Sequence, residues 1–270
     1  MCQVLAVNRS SYYAWKGRLR SRRSQKNRRL LQDIQRIFFE HKGRYGCLRI
    51  TSQLRDEGIV CGHNRVARLM RGHGLRAKAG RRYRGTTNSR HTFPIAKNIV
   101  NREFTIGQPD KIWVSDVTQI GTSEGWLYLA LVMDLFSRRI VGWSVDRLLT
   151  TSLVVTALEQ AIACRNPEKG LIIHTDQGCQ YASHSFQRLL LKHGFISSMS
   201  RKGDCYDNAC MESFIHTLKV ELVHTQLYQT RDELKDSLFE YIELYYNKKR
   251  KHSTLEYKSP IEYERIKSAA

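Results

Sequence analysis

Two apolar stretches of this 270-residue chain each run into an aspartate. Ile112, Val114, Val117 and Ile120 surround Asp116, and Leu171-Ile172-Ile173 leads straight to Asp176. Both stretches read as strands. An acid there is locally unfavourable, because Asp is a poor strand former and its carboxylate is costly to bury. Such a conflict between a local rule and a position marks function. Glu212 has a different setting: Phe214, Leu218 and Leu222 follow it at helical spacing, which predicts a helix over 209–222. Thirty-five residues lie between Asp176 and Glu212. Two strand acids and one helix acid, brought together, would form an all-oxygen site for a hard divalent cation. Three such carboxylates repel one another, so at least one would stay protonated without a cation.

The text around the acids is equally distinctive. It includes Trp113-x-x-Asp116-x-Thr118, the run from Asp134 through Ser137-Arg138-Arg139 to Gly142-Trp143, and His174-Thr175-Asp176-Gln177-Gly178. Further on come the run from Ser198 through Asn208 to Glu212-Ser213, and Tyr246-Asn247 with Arg250, His252, Ser253 and Leu255. These blocks resemble bacterial insertion-sequence transposases of the Asp-Asp-Glu type, which carry a retroviral-integrase-like catalytic core. The group is the one in which two overlapping reading frames encode a DNA-binding piece and a catalytic piece. The resemblance covers nearly the whole chain, residues 30–265.

The resemblance implies an α/β fold: a ribonuclease H-like mixed-sheet catalytic core with an N-terminal all-α helix-turn-helix module and a helical C-terminal extension. It implies that Asp116, Asp176 and Glu212 are catalytic and bind two magnesium ions, with manganese able to substitute. Asp116 would be shared between the ions, Asp176 would bind one and Glu212 the other. Such a pair of ions, about 3.5–4 Å apart, serves in-line displacement at phosphorus. Water as nucleophile gives nicking and a DNA 3′-hydroxyl gives strand transfer. The implied partners are transposon terminal inverted repeats, target DNA, further copies of the chain (at least a dimer on DNA) and an upstream-frame DNA-binding partner or fusion. Lys219, two turns beyond Glu212, would contact the transposon end; a plain surface lysine is the alternative. Two other functions stay open: a structure-directed nuclease without strand transfer, and a helix-turn-helix regulator without catalysis. The acid triad argues against the regulator.

Charge divides the chain. Of a net +20, residues 1–108 hold all: 25 Lys and Arg against 5 Asp and Glu, whereas residues 109–270 hold 20 of each. A polyanion-binding module joined to a neutral one is the direct reading. Residues 1–24 read as a short helix carrying Tyr12, Tyr13 and Trp15, expected to pack on the next module, followed by a basic linker. Within 25–80, helices are expected over 25–41, 47–57 (burying Leu48, Ile50 and Leu54) and 64–73, the last two joined by a short glycine-containing turn. On the last helix Arg65, Arg68 and Arg71 form a basic stripe that reads as a DNA contact. Arg201, Lys202 and Arg250 complete the expected DNA-binding set. Residues 81–108 read as a basic linker that tracks phosphates and packs no core.

The core is expected over 109–225. It comprises a three-strand meander over 111–120, 126–135 and 140–145, a helix over 151–165, strands at 171–175 and 195–199 around a helix at 183–193, and the Glu212 helix. A mobile polar loop with Asp204 and Asp207 is expected at 200–208. Residues 226–270 form the helical extension, with a helix over 230–246. Asp134 competes as a fourth metal ligand, although capping its turn is the blander role. Cys47, Cys61, His63 and His73 match no common zinc-finger spacing. The seven scattered cysteines suit reduced thiols in a cytoplasmic bacterial protein, nucleoid-associated when bound to DNA. The longest apolar run, Trp126 to Phe136, is too short to span a bilayer.

Overall fold

The computed structural model describes residues 2–17, 21–78, 94–201 and 205–268. Lys202, Asp204, residues 79–80 of the expected helix-turn-helix module and residues 81–93 of the expected linker lie outside them. The chain divides into two compact units, Met1–Lys78 and Ala79–Ala270.

The first unit holds α1 (Arg9–Lys16), α2 (Arg22–Glu40), α3 (Cys47–Asp56) and α4 (His63–Gly72). Asn8 caps α1, which buries none of its residues; Tyr13 and Trp15 are exposed, so the expected packing of these aromatics is not seen. Ser21 caps α2 by accepting from the Ser24 N–H. Leu30, Ile34, Ile37 and Phe38 make its buried stripe, against Ile50, Thr51 and Leu54 of α3 and Val66 and Met70 of α4. Leu48, expected inside, is exposed, because it sits on the far side of α3 from Ile50 and Leu54. Gly74 ends α4 at φ +68°, letting the Leu75 N–H reach the Met70 carbonyl at 2.9 Å, the closure that favours glycine.

The second unit is built on a five-stranded sheet of β1 (Ile112–Thr122), β2 (Gly125–Asp134), β3 (Ile140–Asp146), β4 (Ile172–Thr175) and β5 (Ile196–Met199), in the order β3-β2-β1-β4-β5. The meander β1-β2-β3 is antiparallel, and β4 and β5 add in parallel to its open edge. Alternation splits β1 between two cores. Trp113 faces α5 (Thr151–Arg165) and α7 (His184–His193), while Val114 and Ile120 face α8 (Ala209–Glu221) and α9 (Arg231–Phe239). One short helix, α6 (Cys179–Ala182), escaped the periodicity reading, being a single turn. The helix expected over 230–246 begins as α9 and continues as a π-helix, Glu240–Tyr246. The tail forms α10 (Pro260–Ser268), whose Glu264 binds Ser137, Arg139 and Arg165. No helix among the described residues is long and apolar enough to cross a membrane.

Gly142 in β3 has a packing reason to be glycine. A Cβ there would lie 2.3 Å from the Ala157 carbonyl oxygen and 2.7 Å from the Ala161 Cβ, so α5 rests on bare backbone. Gly142→Ala is expected to lower stability by about 1–3 kcal/mol or more, since the obstruction includes backbone. Urea unfolding would show it as a lower midpoint at unchanged slope.

The described part of the linker, expected to pack no core, does pack one. Val100 is buried in the α8-side core, with Phe104 and Ile106 packed against it. The Ile99 N–H donates to the Ser198 hydroxyl at 3.0 Å. Three apolar side chains among polar ones gave no period to read, yet they strap this segment to the core.

Candidate active site

The register between β1 and β4 assembles the site. Val114 lies opposite His174 in the parallel pair. Asp116 and Asp176 each stand two residues further on, so they leave neighbouring strands at one level and on one face. That is the α8 face, because Met211, Phe214 and Leu218 pack with Val114 and Ile120. Glu212 follows Met211 in the first turn of α8, and Lys219 lies two turns along the same side.

Electrostatics show the convergence. Burial, then the charge of Asp176, pushes the Asp116 carboxyl up to about 8; Glu212 adds to this, while the Val117 N–H and Lys219 oppose it. Glu212, the most exposed of the three, is also raised by desolvation. Lys219 is half-buried, and desolvation lowers its ammonium while the Asp116 charge opposes that. One oxygen of each strand acid is anchored by nearby backbone: Asp116 Oδ1 accepts from the Val117 N–H at 2.7 Å and Asp176 Oδ1 from the Gly178 N–H at 2.9 Å.

Among the described residues, no three His, Cys, Asp or Glu side chains form a ready-made metal cage. The residues nonetheless fit a hard cation. The donor set is all oxygen, and a cation between the acids would offset both the burial and the neighbouring Asp176 charge that hold Asp116 so high.

Other residues singled out in the sequence fall elsewhere. Asp134 is fully buried and caps its turn, accepting from the Phe136 and Asp110 N–H groups at 3.0 and 3.3 Å, with Arg165 at 3.5 Å. Those contacts occupy it away from the acid group. Arg250, expected on DNA, is buried: Nη2 lies 2.7 Å from Glu221 Oε1, and the guanidinium stacks 5.8 Å from the Tyr246 ring centroid. It is a tether, since a lone basic run gave no sign that one member faces inward. Arg65 is half-buried and donates to Asn27 Oδ1 through Nε and Nη2 at 2.9 and 2.7 Å, joining α4 to α2; Arg68 and Arg71 are exposed. Arg201 remains exposed, yet its Nη2 donates to Asn101 Oδ1 at 2.7 Å.

His174 and Gln177, whose roles the sequence leaves open, tie β4 to the end of β5. The buried His174 ring bonds Ser198 and Ser200 hydroxyls at 2.9 and 3.1 Å, and Gln177 Nε2 donates to the Ser200 carbonyl at 2.9 Å. Asp207, expected in a mobile loop, is fully buried. The polar, glycine-containing text hid it, because its partners are distant in sequence.

An acid midway along β1, a second just past the end of the parallel β4 and a third on a helix across them suit a ribonuclease H-like polynucleotidyl transferase. The Integrase core domain family matches residues 107–205 and, through a second family of the same description, 212–267; the HTH-like domain family matches 25–83. The transposase for insertion sequence element IS904 of Lactococcus lactis is 47% identical over 240 residues, covering 88% of this chain and 94% of that protein. Transposase InsF for insertion sequence IS3A of Escherichia coli is 41% identical over 266 residues, covering 98% and 92%. A chain of the simian T-cell lymphotropic virus intasome, solved in complex with PP2A regulatory subunit B56 gamma, shares the fold at 17% identity and TM-score 0.50, over 79% of this chain and 70% of that one. The chain belongs to the insertion-sequence transposases, and its enzymatic class is DNA strand cleavage and joining.

Proposed function

We propose that Asp116, Asp176 and Glu212 carry both nicking of transposon ends and their joining to target DNA. The supporting observation is the β1–β4 register, which brings two strand acids to the face where α8 presents Glu212. These three residues would hold two magnesium or manganese ions. Bound there, such ions activate an attacking oxygen and stabilise the leaving oxygen. The chain's own contribution is orientation. Backbone N–H groups fix the two strand carboxylates in rotation, and Lys219 offers a cation to a phosphate oxygen beside Asp116. In the reaction an oxygen lone pair, from water or a DNA 3′-hydroxyl, forms the new bond to phosphorus. The old P–O bond breaks in line, and its electrons leave on the departing 3′-oxygen. No protein nucleophile is used.

The partners in this reading are terminal inverted repeats, target DNA and at least a second copy of the chain, in the bacterial cytoplasm. An upstream-frame partner or fusion can supply further DNA binding. Strand transfer is tested with purified chain and a pre-nicked end bearing a free 3′-hydroxyl, with magnesium and with EDTA. Joined product only with the cation is expected. Hydrolysis without joining would leave a nuclease.

DNA affinity is assigned mainly to residues 1–108, through Arg68 and Arg71 on α4. Each phosphate contact contributes about 0.9 to the slope of log affinity against log salt. The Arg68→Ala/Arg71→Ala variant is therefore expected to reduce that slope by roughly 2 if both touch phosphate. Arg65→Ala should instead lower stability by about 1 kcal/mol, through the lost Asn27 bonds, and barely change the slope. Filter-binding titrations across a salt series separate the two. Parental slopes in the double variant would remove α4 from the DNA contact.

A further inference from the structure

One of the buried charges that the catalytic reading does not use lies close to the acids. Asp207 lies in the 3-10 turn Cys205–Asn208 that leads into α8, five residues before Glu212, and its side chain is fully buried. Its carboxylate gathers donors from two other segments. Oδ2 accepts from the Arg201 N–H and from Asn98 Nδ2, both at 2.9 Å, and Oδ1 from Arg102 Nε at 3.0 Å. Burial alone would raise this carboxyl, but the Arg201 N–H and the Arg102 guanidinium hold it below the usual range.

These bonds reach the surroundings of all three acids. Asn208, beside Asp207, donates to the Ser115 carbonyl at 3.4 Å, next to Asp116. Ile99, in the same strap as Asn98 and Arg102, donates to the Ser198 hydroxyl that holds His174, two residues before Asp176. Asn101 closes the strap by donating its N–H to Asn98 Oδ1 at 2.9 Å, while its side chain accepts from Arg201. A solvated polar loop would connect β5 to α8 without burying a charge. Here the charge sits where strap, β5 exit and the start of α8 meet.

We propose that Asp207 is a positioning residue for strand cleavage and joining: it clamps the strap and Arg201 to the turn that starts α8, and so sets where Glu212 stands relative to Asp116 and Asp176. Asp207 touches no reacting atom. The proposal rests on the assignment of the three acids made above.

The test uses the full chain, a pre-nicked DNA end and magnesium, with Asp207→Asn, Asn98→Ala/Arg102→Ala and, as control, Glu212→Gln. Outer residues that orient metal-binding side chains typically contribute about 10–100-fold in activity. Asp207→Asn is expected to lower kcat for joining within that range, with KM for DNA little changed. Amide hydrogen exchange is the second readout: residues 209–213 should exchange faster while β1 and β4 stay protected. The double variant breaks the clamp from its more exposed side, leaves the buried carboxylate in place, and should move both readouts the same way. Should Asp207→Asn fail to fold, the double variant decides alone. Parental joining in the folded variants beside an inactive Glu212→Gln would overturn the clamp and leave the triad standing. So would reduced joining with unchanged exchange at the start of α8. An active Glu212→Gln would remove the triad assignment itself, and this proposal with it.

Discussion

Asp116→Asn, Asp176→Asn and Glu212→Gln are each expected to reduce end cleavage and strand joining by about a thousandfold or more, roughly 4 kcal/mol of barrier. Each change keeps the side-chain shape and removes one charged oxygen ligand from an all-oxygen site. DNA affinity should survive, because the net positive charge of the chain lies within residues 1–108. Stability offers an independent check in EDTA. The Asp116 carboxyl is pushed up to about 8 by burial and by Asp176. A carboxyl raised in the folded state stabilises fully below its unfolded value, near 4, and loses that contribution as pH rises through its folded value. Metal-free Asp116→Asn should therefore gain stability relative to the parent as pH rises from about 4 to about 8. Thermal unfolding at several pH values measures it. Magnesium-dependent joining near the parental rate by any of the three variants would overturn the assignment.

Arg250→Ala is expected to destabilise the catalytic unit by about 3–5 kcal/mol, because it strands a buried carboxylate. Glu221 accepts from Arg250 Nε at 2.9 Å and Nη2 at 2.7 Å, and from the Tyr241 hydroxyl at 2.8 Å. Both charged side chains are almost entirely buried. Losing the guanidinium leaves Glu221 in a low-dielectric site without the opposite charge that pairs with it. Exchanging both Arg250 and Glu221 for apolar residues of similar volume should recover most of the loss, since the pair's desolvation penalty goes with it. Denaturant unfolding of the single and double variants measures the difference. If Arg250 were instead a DNA contact, Arg250→Ala would flatten the salt dependence of binding and leave the unfolding midpoint unchanged.

The sequence by itself carried the acids and most of the elements. Asp116 and Asp176 stood out because each broke the apolar rule of its own strand, a conflict visible within about ten residues. The meander strands, α5, α7, α8 and the helices α2, α3 and α4 were legible because each carries a run or stripe of apolar residues long enough to read locally. What the tertiary structure decided is which charged and polar groups turn inward. Arg250 sits in a run of four basic residues, and nothing local distinguishes it; Glu221, 29 positions away, makes it a tether. Arg65 shares a stripe with Arg68 and Arg71, but only Arg65 finds Asn27 on α2. Asp207 looked like loop solvent contact until Asn98 and Arg102, more than a hundred positions earlier, closed on it. Apolar burial repeats with the helix or strand period and can be read in one pass. A buried polar group is tolerated only where a partner meets it, and that partner is set by the register of strands and the packing of helices.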